Sequence, residues 1–402
     1  MNNSGGIDSQ IGIGGCRISA KAKQLVMEVL DSNRLSAGPM IDRFEREIAS
    51  LHDRRFALFT NSGTSALQIA LAALKERGDW QDDDEVLVPS LTFVATVNVV
   101  LSNRLRPVFV DVESDRYCMD PSEVERHITP RTRAIMPVHI AGLPCDMDPL
   151  LAIAAKHNLR VVEDSAESMF VRYRGRPVGS MSDIGCYSTY IAHIITTGVG
   201  GFCVTDDTEL ILMLKSLMNH GRDSIYTRID DDAGRQGQEL FDIVDRRFNF
   251  IRLGYSYRCT EMEAALGLAQ LDTRIEDWQR RRLIARRLCE GLAPLADVLQ
   301  LPVERDGAEH AWMFFPLVLR QASIDRAGLI QYLESSRIET RYLLPLLNQP
   351  VYQRMMGNLE PDYPVAANLN RRGFYIGCHA GITDKEVDYM VNCFHTYFKK
   401  HV

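Results

Sequence analysis

FALFTNSGTSALQIALAALKER, residues 56–77, reads as one strand–turn–helix unit. Phe56–Thr60 is a short apolar run, Gly63 permits a tight turn, and Thr64–Arg77 sets Ala and Leu at helical spacing. The same alternation extends outward over the first 220 residues. Strands are predicted at Glu85–Val88, Pro107–Val112, Arg133–His139, Arg160–Glu163, Gly185–Ser188 and Gly201–Thr205, with helices at Asp148–His157 and Thr208–Asn219. Continuously apolar strands alternating with helices predict a mostly parallel sheet covered on both faces. In such sheets ligands gather beyond the carboxyl ends of the strands.

Near residue 250 the pattern changes. Cys259–Leu292 reads as one extended helix ending before Pro294. A strand (Met313–Leu319), a helix (Ile324–Ser335), a strand (Glu339–Leu343), a Pro- and Asn-rich loop and a last helix from Asp384 follow. The expectation is an α/β chain: a large domain over 1–258, including an N-terminal arm, then a bridging helix and a small α+β domain over 259–402.

The composition is that of a globular protein: 402 residues, 46% hydrophobic, 25% charged, net charge −7. This excludes disorder, collagen and coiled coil. A mildly acidic chain without a basic block argues against nucleic-acid and membrane-surface binding. The nine cysteines form no CxxC or CxC pair, so zinc-ribbon and iron–sulfur spacings are absent and no metal is expected. Reduced thiols fit a cytoplasmic protein. The first residues lack the basic and apolar stretches of a signal peptide, and no apolar run is long enough for a membrane span. Of the 46 Lys and Arg, only eight are lysines: Lys21, Lys23, Lys75, Lys156, Lys215, Lys385, Lys399 and Lys400.

Four segments at predicted strand ends carry polar chemistry. Thr60–Ala66 places Gly63 and Thr64 at a helix N-terminus, where free N–H groups make either an anion cradle or a plain cap. Asp164 ends a buried strand, so it either meets a cation, such as a protonated pyridinium nitrogen, or caps the next helix. Phe93 either stacks on a flat ring or is an ordinary core aromatic. Ser188, after another strand, is placed to hold a phosphate, with His193 just beyond; a lone His is more often a satisfied residue than a catalyst.

Together the segments resemble the DegT/DnrJ/StrS family of sugar aminotransferase-like proteins, over nearly the whole chain from about Ala37. The resemblance rests on FTNSGTSAL (59–67), VPSLTFVATVN (88–98), PVFVDVE (107–113), VEDSAES (162–168), GRPVGSMSDIGCYS (175–188), NHGRD (219–223) and GYSYRCTEMEAALGLAQL (254–271). It implies the fold-type-I pyridoxal-phosphate architecture, with a mostly parallel seven-stranded sheet, and pyridoxal 5'-phosphate or pyridoxamine 5'-phosphate as cofactor. By matching position, Gly63, Thr64 and Ser188 contact the phosphate, Phe93 stacks on the ring, Asp164 pairs with the ring nitrogen, and Glu167 lies near the 3-hydroxyl. Ser256 stands where an Asn usually reaches the partner subunit's phosphate, and its shorter side chain puts that contact in doubt. Arg341 and His220 are candidate substrate contacts. A homodimer with a shared active site is also implied.

One departure redirects the reading. Where the aminotransferases carry their Schiff-base lysine, the segment reads Ser188-Thr-Tyr-Ile-Ala-His193, and Val199 replaces a usual Glu. No other lysine falls at a predicted strand end. An imidazole forms no stable Schiff base, so the covalent anchor of transamination is lost. Histidine remains an acid or base near neutral pH. The same replacement marks a small branch of the family, the 3-dehydratases of nucleotide-linked 4-keto-6-deoxy sugars, and GDP-4-keto-6-deoxymannose 3-dehydratase resembles this chain there. That likeness implies loss of a hydroxyl, at C3, from such a sugar, with His193 as base and an amino donor such as glutamate restoring the cofactor. The lack of a CxC arrangement favours the subtype without an iron–sulfur cluster. Two alternatives stay open: an aminotransferase or other pyridoxamine-phosphate enzyme on an unusual substrate, and a non-catalytic sugar-binding homologue.

Overall fold

The computed structural model describes residues 9–223 and 232–401. Its larger sheet holds seven strands: β1 (Phe56–Thr60), β2 (Glu85–Pro89), β3 (Arg106–Val110), β4 (Thr132–Ile135), β5 (Arg160–Asp164), β8 (Ile184–Ser188) and β9 (Gly201–Thr205). A two-stranded ribbon, β6 (Arg172–Tyr173) and β7 (Arg176–Pro177), lies between β5 and β8 in the chain. The spatial order is β1-β9-β8-β5-β4-β2-β3. Only β9 runs against the rest, pairing antiparallel with both β1 and β8.

Alternate side chains enter different cores, as the pleat demands. Leu58, Cys186 and Cys203 face the helix Gly63–Arg77, whose apolar residues are buried almost all round. Their neighbours Phe59, Tyr187 and Phe202 face the opposite layer, with the helices Ala20–Ser32, Pro39–Leu51 and Glu261–Leu271. There Phe44 packs edge-on against Phe59 and Phe202, with ring centroids 5.2 and 4.9 Å away.

The second sheet is antiparallel: β10 (Leu299–Gln300), β11 (Phe314–Leu319), β12 (Thr340–Tyr342) and β13 (Gly373–Gly377), in the order β10-β11-β13-β12. The helices Arg274–Leu292, Arg326–Ser335 and Asp384–His401 cover it.

The structure corrects three expectations. The stretch Cys259–Leu292 is two helices, Glu261–Leu271 and Arg274–Leu292. Ala264, Ala265 and Leu268 of the first enter the large core, and Ile284, Ala285, Leu288 and Leu292 of the second enter the small one. One straight rod cannot serve both, and the chain breaks at Asp272–Thr273. The strand expected over Arg133–His139 ends at Ile135, just before Pro137, which has no N–H for a ladder. Finally, Gly373–Gly377 is a central strand of the small sheet, and the Pro- and Asn-rich loop before it contains the helices Pro350–Met356 and Pro364–Arg372.

Glu261 ties the layers together. Its carboxylate is 1% exposed and accepts the N–H groups of Gly38 (2.9 Å), Met40 (2.8 Å) and Ile41 (3.0 Å), at the start of the helix Pro39–Leu51. These are donors that a helix leaves unpaired, at its positive end. We expect Glu261→Ala to destabilise the fold by about 2–4 kcal/mol, because the N–H groups stay buried without an acceptor. Chemical denaturation checks this, and Glu261→Gln is expected to recover part of the loss.

Candidate active site

The site forms at the carboxyl ends of β1, β2, β5 and β8. After β1 the chain turns at Asn61 and Ser62, and Gly63 opens the helix Gly63–Arg77. The Ser62 hydroxyl caps it by accepting the Ser65 N–H at 3.0 Å. The N–H groups of Gly63 and Thr64 lead the helix without an i−4 carbonyl. Gly63 must be glycine here: an added Cβ would lie 2.8 Å from the Ser188 Cβ. Gly201 is held in the same way, since its Cβ would lie 2.4 Å from the Gly63 nitrogen. Thr64 is exposed on this edge and Ser188 is buried beside it. A helix N-terminus flanked by two hydroxyls and kept clear by glycines suits a phosphate.

Asp164 ends β5 beside Cys186 of β8, two residues before Ser188. Its carboxylate is 4% exposed; it accepts the Thr96 hydroxyl at 2.9 Å and the Ala166 N–H at 3.3 Å. The Thr92 and Thr96 hydroxyls stand 2.9 Å apart, continuing the chain of polar groups. Burial dominates and raises the Asp164 pKa against these hydrogen bonds. Thr96 lies in the first turn of the helix Val94–Ser102, whose N-cap is Phe93. Phe93 is 60% exposed, so an aromatic ring is open one turn from a buried carboxylate. That donor set fits a flat, protonated heteroaromatic ring.

Glu167 is half-buried and accepts the Ala141 N–H at 2.6 Å. Burial, reinforced by the charge of Asp164, lifts its pKa to about 8. His193 sits in the loop after β8; its N–H donates to the Tyr190 carbonyl at 2.8 Å, and the Tyr190 N–H reaches the Ser188 hydroxyl at 3.3 Å. Burial lowers the His193 pKa to about 4, and the cation of Arg281 acts in the same direction. The ring is therefore neutral at pH 7. Its Nδ1 is buried and has no hydrogen-bond partner.

Gly63, Thr64, Ser188 and His193 thus share one edge, and Asp164, Glu167 and Phe93 join them through Thr96 and β5. Ser256 and His220 lie in a second cluster. Arg258 donates there to the Ser256 hydroxyl (2.9 Å) and to Asn219 (3.1 Å), and stands 3.2 Å from the His220 ring. This cluster reaches the first edge through the Asn61 N–H, which donates to the Tyr257 carbonyl at 2.8 Å. Arg341 projects from β12 and pairs with Glu339.

Sequence reasoning missed the layer beneath the site. His139 and Glu163 are both fully buried, with Nε2 3.2 Å from the carboxylate. The His139 Nδ1 accepts the Cys145 N–H, which fixes the proton on Nε2. Glu163 also accepts the N–H groups of Gly179 and Met181, both at 2.8 Å. Glu163 precedes Asp164 and faces the other side of the sheet, which strand alternation alone would have indicated.

A phosphate-cradling helix start, a buried carboxylate and an open aromatic at the ends of a seven-stranded sheet define a pyridoxal-phosphate enzyme of fold type I. The DegT/DnrJ/EryC1/StrS aminotransferase family model matches residues 17–395, and the chain belongs to that family. Its cofactor is accordingly pyridoxal 5'-phosphate or its amino form. GDP-perosamine synthase of Caulobacter vibrioides is 33% identical, the match covering 95% of this chain and 96% of the relative. A dTDP-4-dehydro-2,6-dideoxy-D-glucose 3-dehydratase of Saccharopolyspora spinosa is 34% identical, covering 89% and 80%. The solved structure of Escherichia coli GDP-4-keto-6-deoxy-D-mannose-3-dehydratase with bound hydrated PLP superposes with a TM-score of 0.87 at 24% identity, covering 96% and 99%. Among the described residues no helix is long and apolar enough to cross a membrane.

The raised pKa of Glu167 has a sign. The folded cofactor-free chain keeps a proton that the unfolded chain releases from about 4.5 upward, so the stability tied to this group is full below that pH and is lost as pH rises to about 8. The cofactor-free protein is expected to melt progressively lower across this window. Glu167→Gln is expected to flatten that slope, measured by thermal denaturation against pH.

Proposed function

We propose that this enzyme removes the C3 hydroxyl from a nucleotide-linked 4-keto-6-deoxy sugar as water, with His193 as the catalytic base. The observation that carries this reading is a neutral, half-buried imidazole with an unpartnered Nδ1, at the position where the family's transaminases carry lysine. Gly63, Thr64 and Ser188 would hold the cofactor phosphate, Phe93 would stack on its ring, Asp164 would keep its ring nitrogen protonated, and Glu167 would face its 3-oxygen. When bound, pyridoxamine phosphate supplies the amine that engages the sugar ketone and a ring that accepts electrons. His193 would act as the base beside that amine and would pass the proton it takes up to the departing hydroxyl, which leaves as water. A pKa of about 4 keeps the ring neutral at neutral pH, with a ring nitrogen unprotonated. Three of the eight lysines are engaged elsewhere: Lys21, Lys75 and Lys156 pair with Asp272, Asp82 and Glu125.

Supplied with pyridoxamine phosphate, glutamate and a nucleotide-linked 4-keto-6-deoxyhexose, the enzyme is expected to release ammonia and a 3-deoxy product. His193→Ala should slow this by roughly 100- to 10,000-fold. Accumulation of an aminosugar without ammonia would establish the aminotransferase reading instead. Tight cofactor binding without turnover of any such sugar would establish a non-catalytic homologue.

The same reading includes a homodimer. The helix Gly237–Arg246 buries none of its residues, although Phe241 is 68% exposed. Phe248 and Leu253 follow at 80% and 95% exposure. This apolar face leads directly into Ser256 and Arg258, so a second copy seated on it would lie beside the site. The double variant Phe248→Asp/Leu253→Asp is expected to sediment as a monomer and to bind pyridoxamine phosphate more weakly. A variant that remains dimeric would place the interface elsewhere.

A further inference from the structure

The segment before the first helix crosses the site as a glycine strap. Ile11 lies beside Ile338 as a parallel bridge, its N–H donating to the Arg337 carbonyl at 2.8 Å and its carbonyl accepting the Glu339 N–H at 3.0 Å. The Ile13 N–H then donates to a Glu339 carboxylate oxygen at 2.9 Å. Beyond this anchor three glycines allow approaches that no side chain would. A Cβ on Gly377 of β13 would lie 2.1 Å from the Gly12 carbonyl oxygen. One on Gly15 would lie 2.7 Å from the His379 ring. One on Gly14 would lie 2.7 Å from the Ala192 Cα.

The last contact matters because Ala192 precedes His193. Its neighbour is main chain, which cannot rotate away as a flexible side chain would. The loop carrying His193 is also held by the His193 N–H to Tyr190 bond and a bridge between Tyr190 and Gly198, and farther along by the Thr196 N–H donating to the Gln270 side chain at 3.0 Å and the Thr189 and Thr197 hydroxyls 2.6 Å apart. The His193 ring has its Nδ1 unpartnered, so hydrogen bonding at that atom does not fix the ring. At Ala192, next to His193, the close steric contact comes from outside the loop, from Gly14.

We propose that the Gly12–Gly15 strap, anchored on Glu339, is a positioning element that presses the Tyr190–His193 loop into place, with Gly14 as the residue in contact. The inference rests on the reading of His193 as base. It assigns the N-terminal arm a role in the reaction and makes the small sheet, through Glu339 and His379, part of the support of a base carried by the large one. A general base displaced by about 1 Å loses about 100-fold in rate.

Two measurements on the cofactor-loaded full chain test this. In Gly14→Ala, hydrogen exchange in residues 188–197 is expected to quicken while exchange in the strands β2 and β5 stays as in the parent. Turnover should fall about 100-fold with little change in pyridoxamine-phosphate affinity. Unchanged exchange in that loop together with unchanged turnover would overturn the proposal. Should Gly14→Ala fail to fold, Glu339 decides. Glu339→Gln keeps an oxygen for the Ile13 N–H and is expected to match the parent, whereas Glu339→Ala is expected to loosen the same loop. Equal exchange in the two Glu339 variants would also overturn it. The exchange readout is independent of the base assignment: full activity in His193→Ala would defeat the proposed chemistry while leaving the effect of the strap on the loop to be read directly.

Discussion

A carboxylate held at the end of a buried strand sets the terms for this site. Asp164 is nearly sealed from water, and its hydrogen bonds with Thr96 and Ala166 do not offset the cost of burial. A charge in that position is stabilised chiefly by a cation, which a protonated ring nitrogen would supply. The surrounding architecture follows from this constraint. β5 must end where β8 and the helix starting at Val94 can flank it, Phe93 must stand open, and the phosphate cradle must lie one strand spacing away. Glu163, next in the strand, is turned to the opposite face, where the His139 ring and two N–H groups hydrogen-bond it. Two adjacent acids thereby serve different ends, one closed off and one left in need of a partner.

Replacing lysine by histidine changes chemistry without changing this frame. The helix start, the open aromatic and the buried acid remain suited to the cofactor, and an imidazole at position 193 offers no amine for a covalent link. What remains at the address is a neutral ring that can only exchange protons. Its low pKa is the result of burial and of a nearby guanidinium. On the proposed reading, a base with that environment is held by its loop rather than by a covalent bond, and the glycine strap would support that loop by steric contact.

Much of this was legible in the sequence. The strand runs and the helix Gly63–Arg77 stood out because parallel strands buried on both faces need continuous apolar stretches. The residues proposed for the phosphate edge and the ring floor lie within a few positions of those strand ends, so local spacing marked them as candidates and the resemblance supplied their roles. The break at Asp272–Thr273 was not visible, because both helices are locally good helix formers and only their assignment to two cores parts them. β13 was hidden for a related reason: glycines bound it, and its partners β11 and β12 are distant in the chain.

The sequence alone carried the alternation of strands and helices over the first 220 residues, which depends on residue type and short-range spacing, while the class of cofactor chemistry and the place of His193 came from the resemblance that its motifs carry. Only the tertiary structure decided that Ser188 must face a glycine at position 63, that His139 meets Glu163 beneath Asp164, and that Gly14 bears on Ala192. These are contacts between segments far apart in the chain. Their physical basis is excluded volume and burial, which arise only when the sheets and the N-terminal arm are packed together.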